Sequence, residues 1–214
     1  MWQIVLKDMR LELRSQSGLA SLFVLGLLVL LIFEFATPER PTPESAAAGL
    51  WLSFVFAGTL GAQRTFLIER DNFCIEGLKM APIDPSSIFL AKMLGTLGTL
   101  TVLQVIVVPL TAIFSGIVPA SPLGLAGVCL LGNLGFSALA TLFASIAVGI
   151  RAREIILPLL IFPVLVPLVI ASVKASAILL GSPGDAGVWV NVLVAFDVVF
   201  TTAGWLLFGQ VIRE

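Results

Sequence analysis

The chain has 214 residues, of which 58% are hydrophobic and 12% are charged, and its mean hydropathy is +1.10. Soluble domains carry roughly twice this share of charged residues, and a soluble fold could not bury so much apolar surface. The net charge of −1 gives no bulk attraction to nucleic acid. At about 20 apolar residues per crossing, the length allows roughly six membrane helices. We therefore expect one membrane domain over residues 1–214, without room for a nucleotide-binding domain.

The first stretch, residues 2–14, predicts an amphipathic helix at the membrane interface. One face would carry Trp2, Val5, Leu6, Met9 and Leu13, and the other would carry Lys7, Arg10 and Arg14. Such a helix is either a positively charged orientation anchor or an elbow helix along the cytosolic surface. Asp8 and Glu12 argue against a cleaved signal peptide, because they fall in what would be its basic region.

Six apolar runs follow and predict six membrane spans. They lie near residues 18–36, 46–68, 88–117, 123–150, 155 onward and 188–212. Glycines of the fourth run predict a small-residue face for close helix packing; they are Gly124, Gly127, Gly132 and Gly135. Pro158, Pro163 and Pro167 predict kinks in the fifth span, because each removes a backbone hydrogen bond.

The distribution of basic residues predicts the orientation. With the N-terminus in the cytosol, only Arg40 and Lys174 of the 12 basic residues lie outside. The remaining basic residues, all on the cytosolic side, are Lys7, Arg10, Arg14, Arg64, Arg70, Lys79, Lys92, Arg151, Arg153 and Arg213. Both termini and the long polar interval after the second span are therefore predicted to be cytosolic.

That polar interval, residues 69–92, is the most distinctive part of the chain, and we call it the coupling segment. Its pattern predicts a short surface helix between the second and third spans, stopped by Pro82 and Pro85. Asp84 and Ser86 offer capping groups to the next helix. The simplest interpretation of a mixed-charge segment is a solvated loop.

Apolar residues alternate with the charges of the coupling segment, which favours a docking helix over a solvated loop. Such a helix would insert its apolar side into a partner's groove while its charges set the orientation. The residues assigned to this contact are Glu69, Arg70, Asp71, Phe73, Ile75, Glu76, Leu78, Pro82 and Pro85.

The sequence contains no His and no Tyr, which removes two usual haem ligands and the commonest general base. No residue pattern indicates a metal site, a nucleotide site or an activated nucleophile. We therefore expect no enzyme activity and no cofactor bound by this chain. Cys74 falls in a predicted cytosolic segment and Cys129 in a predicted span, which argues against a disulfide.

Asp197 is the one acidic residue that is predicted well inside a span. An intramembrane charge is costly enough to require a reason. A functional interpretation is a polar lining of a substrate route or a proton-linked site. A structural interpretation is pairing with a residue such as Lys174, or a carboxyl that stays neutral.

The coupling segment resembles the cytoplasmic coupling region of ABC-2-type transporter permeases. The resemblance rests on the acid-Arg-acid run at residues 69–71, Glu76, Pro82 and Pro85, and Lys92. Phe73 and Gly77 depart from the usual pattern of that region. The N-terminal WQIVLKDMRLELR and the late basic pair before IILPLLIFPVLVPLVI narrow the resemblance to the CcmB family of cytochrome c maturation, the haem exporter B proteins.

This resemblance implies an all-α permease with six transmembrane helices, an N-terminal interfacial helix and a cytosolic coupling helix. It implies a homodimer in a bacterial inner membrane, joined to a CcmA-like ATPase that binds ATP and to CcmC-like and CcmD-like proteins. The complex would export haem or release a haem chaperone. Two alternatives stay open: a permease for another substrate such as a lipid, glycan or drug, and a non-transporting scaffold that transmits ATPase motion.

Overall fold

The computed structural model describes residues 16–36, 41–71, 85–146 and 153–211, and all regular structure within them is α-helical. The helices are α1 (Gln16–Ala36), α2 (Pro43–Asp71), α3 (Pro85–Ser115), α4 (Pro122–Ile146), α5 (Arg153–Leu179) and α6 (Ala186–Val211). The predicted interfacial helix over residues 2–14 lies outside the described residues. So does the middle of the coupling segment, residues 72–84.

Length and composition allow four of the described helical segments to cross a membrane. These are Ser86–Ser115, Pro122–Ile146, Leu159–Leu179 and Ala186–Gly209. The described apolar part of α1, Ala20–Ala36, is shorter. The predicted all-α membrane class is therefore confirmed, whereas the count of six spans stays a prediction.

The starts of the helices follow from local capping chemistry. Proline occupies the first position of α2, α3 and α4, where its missing N–H costs nothing. Before α2, the backbone N–H of Ser45 donates to Thr42 Oγ1 at 3.2 Å, and the Thr42 N–H donates back to Ser45 Oγ at 2.9 Å. This reciprocal pair satisfies two donors that a helix start would otherwise leave unpaired.

Helix α4 is the centre of the bundle and packs against α2, α3, α5 and α6. Its small residues allow this, because neighbouring side chains reach its backbone. The ring of Trp51 on α2 fills the space beside Gly132, and the side chain of Asp197 on α6 fills the space beside Gly135. The small-residue face predicted for this helix thus receives two large side chains from different helices.

An aromatic chain joins α2 to α4 in the core. The ring centroids of Trp51 and Phe54 are 5.1 Å apart, and those of Phe54 and Phe136 are 5.3 Å apart. Both pairs have the edge-to-face geometry that aromatic rings prefer. All three side chains are at most 1% exposed. The outward faces of the bundle are apolar as well, with Val105 and Ile113 about two-thirds or more exposed, as expected of surfaces that meet lipid.

The helix ends define two ends of the bundle. At the end that we call the coupling end, α2 stops at Asp71 and α3 begins at Pro85. At the opposite end, which we call the turn end, the Ala120 N–H donates to the Leu179 carbonyl at 2.9 Å. Gly116 and Gly181 have φ values of 68° and 121° there, in the region that favours glycine.

Helix α5 runs without a break from Arg153 to Leu179 and includes Pro158, Pro163 and Pro167. The kinks predicted at these prolines stay predictions.

Candidate functional site

The ends of α2 and α3 flank the coupling segment. Glu69, Arg70 and Asp71 form the last residues of α2, so this part of the segment continues the second helix directly. Pro85 begins α3 as the capping pattern predicted. The assigned residues between them, which are Phe73, Ile75, Glu76, Leu78 and Pro82, lie outside the described residues. Their roles therefore stay predictions.

The first turns of α3 are anchored to the end of α6. Ser86 Oγ donates to the Trp205 carbonyl at 3.3 Å, and the ring centroids of Phe89 and Phe208 are 5.6 Å apart. The Phe89 ring also occupies the space beside Gly204, so α3 and α6 approach closely. A displacement of the start of α3 would therefore be carried to α6.

A small apolar cluster extends this anchor to α4. Its buried members are Ile88, Phe89, Met93, Ala138, Leu142 and Phe208, from α3, α4 and α6. Lys92, which closes the coupling segment, lies within the second turn of α3 and is only 9% exposed. The segment is thus continuous with the packed interior.

Asp197 lies near the middle of α6, as its apolar flanks predicted, and its side chain is 5% exposed. Neither carboxyl oxygen has a hydrogen-bond partner among the described residues. Lys174, the partner considered from the sequence, is exposed near the turn end, where its charge acts on Glu44. The pairing of Asp197 with Lys174 is therefore wrong. The functional interpretation of this carboxyl, as a polar lining of a substrate route or a proton-linked site, stays a prediction.

Asn133 forms a hydrogen bond between two helices. Its Nδ2 on α4 donates to Thr101 Oγ1 on α3 at 3.3 Å. The Asn133 Oδ1 atom and both polar atoms of the Gln104 side chain are buried without a partner in the described part of the chain. Polar groups thus line the contact between α3 and α4.

Two contacts of α2, one with α5 and one with the turn that follows α5, were not predicted. Trp51 Nε1 donates to Ser176 Oγ at 2.9 Å, and nearer the turn end Ser182 Oγ donates to Glu44 Oε1. The Ser182 hydrogen bond is the main cause that lowers the pKa of Glu44, which lies outside the predicted span. Sequence alone carried no signal for either contact, because the partners are 125 and 138 residues apart.

An apolar groove of about 500 Å³ lies beside these contacts. Its lining comes from α1, α2 and α5 and includes Phe33, Leu52, Phe56, Phe162, Val166 and Ile170. It offers no polar group that could orient a charged ligand. Across the described residues, no three His, Cys, Asp or Glu side chains are grouped to hold a metal ion.

These features define a polytopic helical membrane protein whose helices α2 and α3 continue into a charged segment at one end of the bundle. The family model described as CcmB protein matches residues 1–213. The chain therefore belongs to the CcmB family, and the resemblance to that family is confirmed.

Three relatives carry the name "Heme exporter protein B". The protein of Rhodobacter capsulatus is 30% identical over 170 residues, which is 77% of this chain and 76% of the relative. The protein of Pseudomonas aeruginosa is 27% identical over 206 residues, covering 92% and 91%. The protein of Paracoccus denitrificans is 28% identical over 177 residues, covering 80% of each.

Proposed function

We propose that this chain is the permease subunit of an ABC transporter complex that acts in the biogenesis of c-type cytochromes. The observation that carries this proposal is the match of the CcmB family over residues 1–213. The subunit is a homodimer in a bacterial inner membrane, with six spans and both termini in the cytosol. It is joined to a CcmA-like ATPase and to CcmC-like and CcmD-like proteins.

The coupling segment is the part of the proposal that concerns mechanism. The ATPase binds ATP and hydrolyses it, and this chain is not itself an enzyme. Closure of the ATPase pair displaces the coupling segment. Because Glu69, Arg70 and Asp71 continue α2 and Pro85 starts α3, that displacement reaches both helices. The contacts of Ser86 and Phe89 with α6 support transmission further into the bundle.

Haem is the substrate of the complex, either exported or released with a haem chaperone. The chain has no His and no Tyr to serve as an axial ligand. The core around α4 is filled by Trp51, Phe54 and Phe136. These two observations favour a role in which a partner holds the haem and this subunit transmits movement.

The experiment that tests this mechanism is the double charge reversal Glu69→Lys with Arg70→Glu. Glu69 and Arg70 are predicted to lie outside the hydrocarbon core, so insertion and dimerisation should be retained. Truncating one member of a desolvated interfacial charge pair typically costs about 2–5 kcal/mol, which weakens binding by tens- to thousands-fold. We expect loss of the ATPase from the complex purified in mild detergent, or ATP hydrolysis that no longer supports cytochrome c maturation.

Arg40→Glu is the matched control, because Arg40 is one of the two basic residues predicted on the opposite side. It should leave both readouts unchanged. Normal maturation with the ATPase still bound in the double reversal would show that the segment is not the coupling element. Mass spectrometry of the co-purifying proteins tests the wider proposal separately, since subunits unrelated to cytochrome c maturation would indicate another substrate.

A further inference from the structure

Asp197 is a buried carboxyl that the coupling mechanism does not use. It is the twelfth residue of α6, which spans Ala186–Val211, so it lies near the middle of the helix. Its side chain is 5% exposed, and neither oxygen has a hydrogen-bond partner within the described ranges. A carboxylate in such a place would be an unpaired charge in the membrane interior.

The carboxyl is seated against the backbone of α4. A Cβ atom on Gly135 would lie 2.5 Å from Asp197 Oδ1 and 2.7 Å from the Leu168 Cδ1 of α5. Any side chain at Gly135 would therefore displace either the carboxyl or the packed leucine. The glycine provides the space in which the carboxyl is enclosed by α4, α5 and α6.

A second polar group without a partner lies one helical turn away. Ser172, four residues after Leu168 on α5, is fully buried, and its Oγ makes no hydrogen bond among the described residues. This oxygen is 3.2 Å from the Cβ position of Gly132, which lies three residues before Gly135 on α4. Polar groups of α5 and α6 thus face the same glycine surface of α4.

The charged and titratable groups on the surrounding helices do not neutralise Asp197. On α4 the titratable residue is Cys129. On α5 the charged residues are Arg153 and Glu154, in its first turn, and Lys174, which is exposed near the turn end. On α3 the charged residue is Lys92, which lies three residues after Phe89. The Phe89 ring packs on Gly204, and Gly204 lies two helical turns from Asp197 toward the coupling end. None of these groups forms a hydrogen bond with the Asp197 carboxyl.

We propose that Asp197 is an internal proton-binding site whose occupancy depends on the packing of α6 against α4. While Gly135 and Leu168 enclose the carboxyl, the neutral acid is the stable form, because the charged form would be buried without a partner. When α6 separates from α4, water reaches the carboxyl, which releases its proton to that water and becomes a hydrated carboxylate. Proton binding and helix packing are therefore linked in both directions.

The test is infrared spectroscopy of the purified protein in lipid nanodiscs. At neutral pH we expect a C=O stretching band of a protonated carboxylic acid that shifts in D₂O and is missing from Asp197→Asn. Reaction with a membrane-permeant carbodiimide, which modifies protonated carboxyls, should label the wild type at Asp197 and leave Asp197→Asn unlabelled there. Absence of both the band and the label in the folded wild type would overturn the proposal.

The link to packing is tested with a matched glycine pair. Gly135→Ala displaces the Asp197 carboxyl or Leu168 and so opens the enclosure, and the band of the protonated acid should disappear at a lower pH than in the wild type. Gly127→Ala, on the same helix with nothing near its Cβ position, should titrate as the wild type does. Leu168→Ala opens the enclosure from the side of α5, so the Asp197 carboxyl should also ionise at a lower pH in this variant. It provides the same test if Gly135→Ala does not fold. Equal titration of Leu168→Ala, Gly127→Ala and the wild type would overturn the linkage. None of these readouts depends on the transported substrate.

Discussion

Gly132→Ala should destabilise the bundle because the new methyl group has no space. A Cβ at this position would clash with Cη2 and Cζ3 of the Trp51 ring. The ring cannot move freely, since its Nε1 donates to Ser176 Oγ at 2.9 Å and it packs edge-to-face with Phe54, with ring centroids 5.1 Å apart. The substitution therefore strains the contact between α4 and α2 and breaks the Trp51 hydrogen bond as the ring is displaced.

The magnitude follows from these contacts and from a matched control. Overpacking a close-packed core costs about 1–3 kcal/mol. Loss of the Trp51 to Ser176 hydrogen bond adds roughly 0.5–1.5 kcal/mol. Replacing glycine by alanine in a helix stabilises the helix by about 1 kcal/mol through its higher helix propensity. Gly127→Ala gains the same stabilisation and its new methyl group meets nothing within 4 Å, so the comparison of the two variants cancels this term. We expect Gly132→Ala to be less stable than Gly127→Ala by about 2–4 kcal/mol.

The assay is equilibrium unfolding in mixed detergent micelles with increasing dodecyl sulfate, followed by circular dichroism. Both variants are compared under identical lipid and detergent conditions, so that the difference reports the local contact. A free energy of unfolding for Gly132→Ala equal to that of Gly127→Ala would refute the packing of Trp51 on α4.

Three further predictions follow. An impermeant thiol reagent should label Cys74 in inside-out vesicles and leave it unlabelled from the outside of spheroplasts; labelling from outside would overturn the orientation. The pKa of Glu44 is lowered, so the stabilisation from its contact with Ser182 is present above its ordinary value of 4.5 and is lost as the pH falls through the lowered pKa. Ser182→Ala should therefore be less stable than the wild type at neutral pH and equal to it in strong acid, and a deficit that persists unchanged in acid would contradict this. The chain expressed alone should bind no stoichiometric haem, and a defined six-coordinate haem spectrum would contradict this.

The helices could be predicted from the sequence because their signals are local. The third and fourth spans were predicted near residues 88–117 and 123–150, and α3 and α4 extend over Pro85–Ser115 and Pro122–Ile146. Proline at a first helical position and an unbroken apolar run require no knowledge of the rest of the fold. The same locality explains why the position of Asp197 inside a span was predicted from its apolar neighbours.

The contacts between helices could not be predicted, because they depend on which helices pack together. The possible pairing of Asp197 with Lys174, one of the alternatives that the sequence left open, shows this in numbers. Lys174 lies five residues before the end of α5 at Leu179, and Asp197 lies 11 residues after the start of α6 at Ala186. Since these helices are joined by a short turn and run in opposite directions, the two residues differ in depth by six residues, or about 9 Å at 1.5 Å per residue. The exposed lysine could not reach the middle of α6.

Helix α6 joins the coupling end of the bundle to the buried carboxyl. Phe89 of α3 packs on Gly204 and against Phe208, and Asp197 lies two turns away on the same face of α6. Because a packed helix moves as a rigid unit over two turns, a force on the start of α3 that displaces Gly204 also acts on the contact between Asp197 and Gly135. The carboxyl is packed closely against Gly135, so a small separation of α6 from α4 would admit water to the carboxyl. On the two proposals together, movement driven by the ATPase would open the proton site, and protonation of Asp197 would favour the return of α6 to α4.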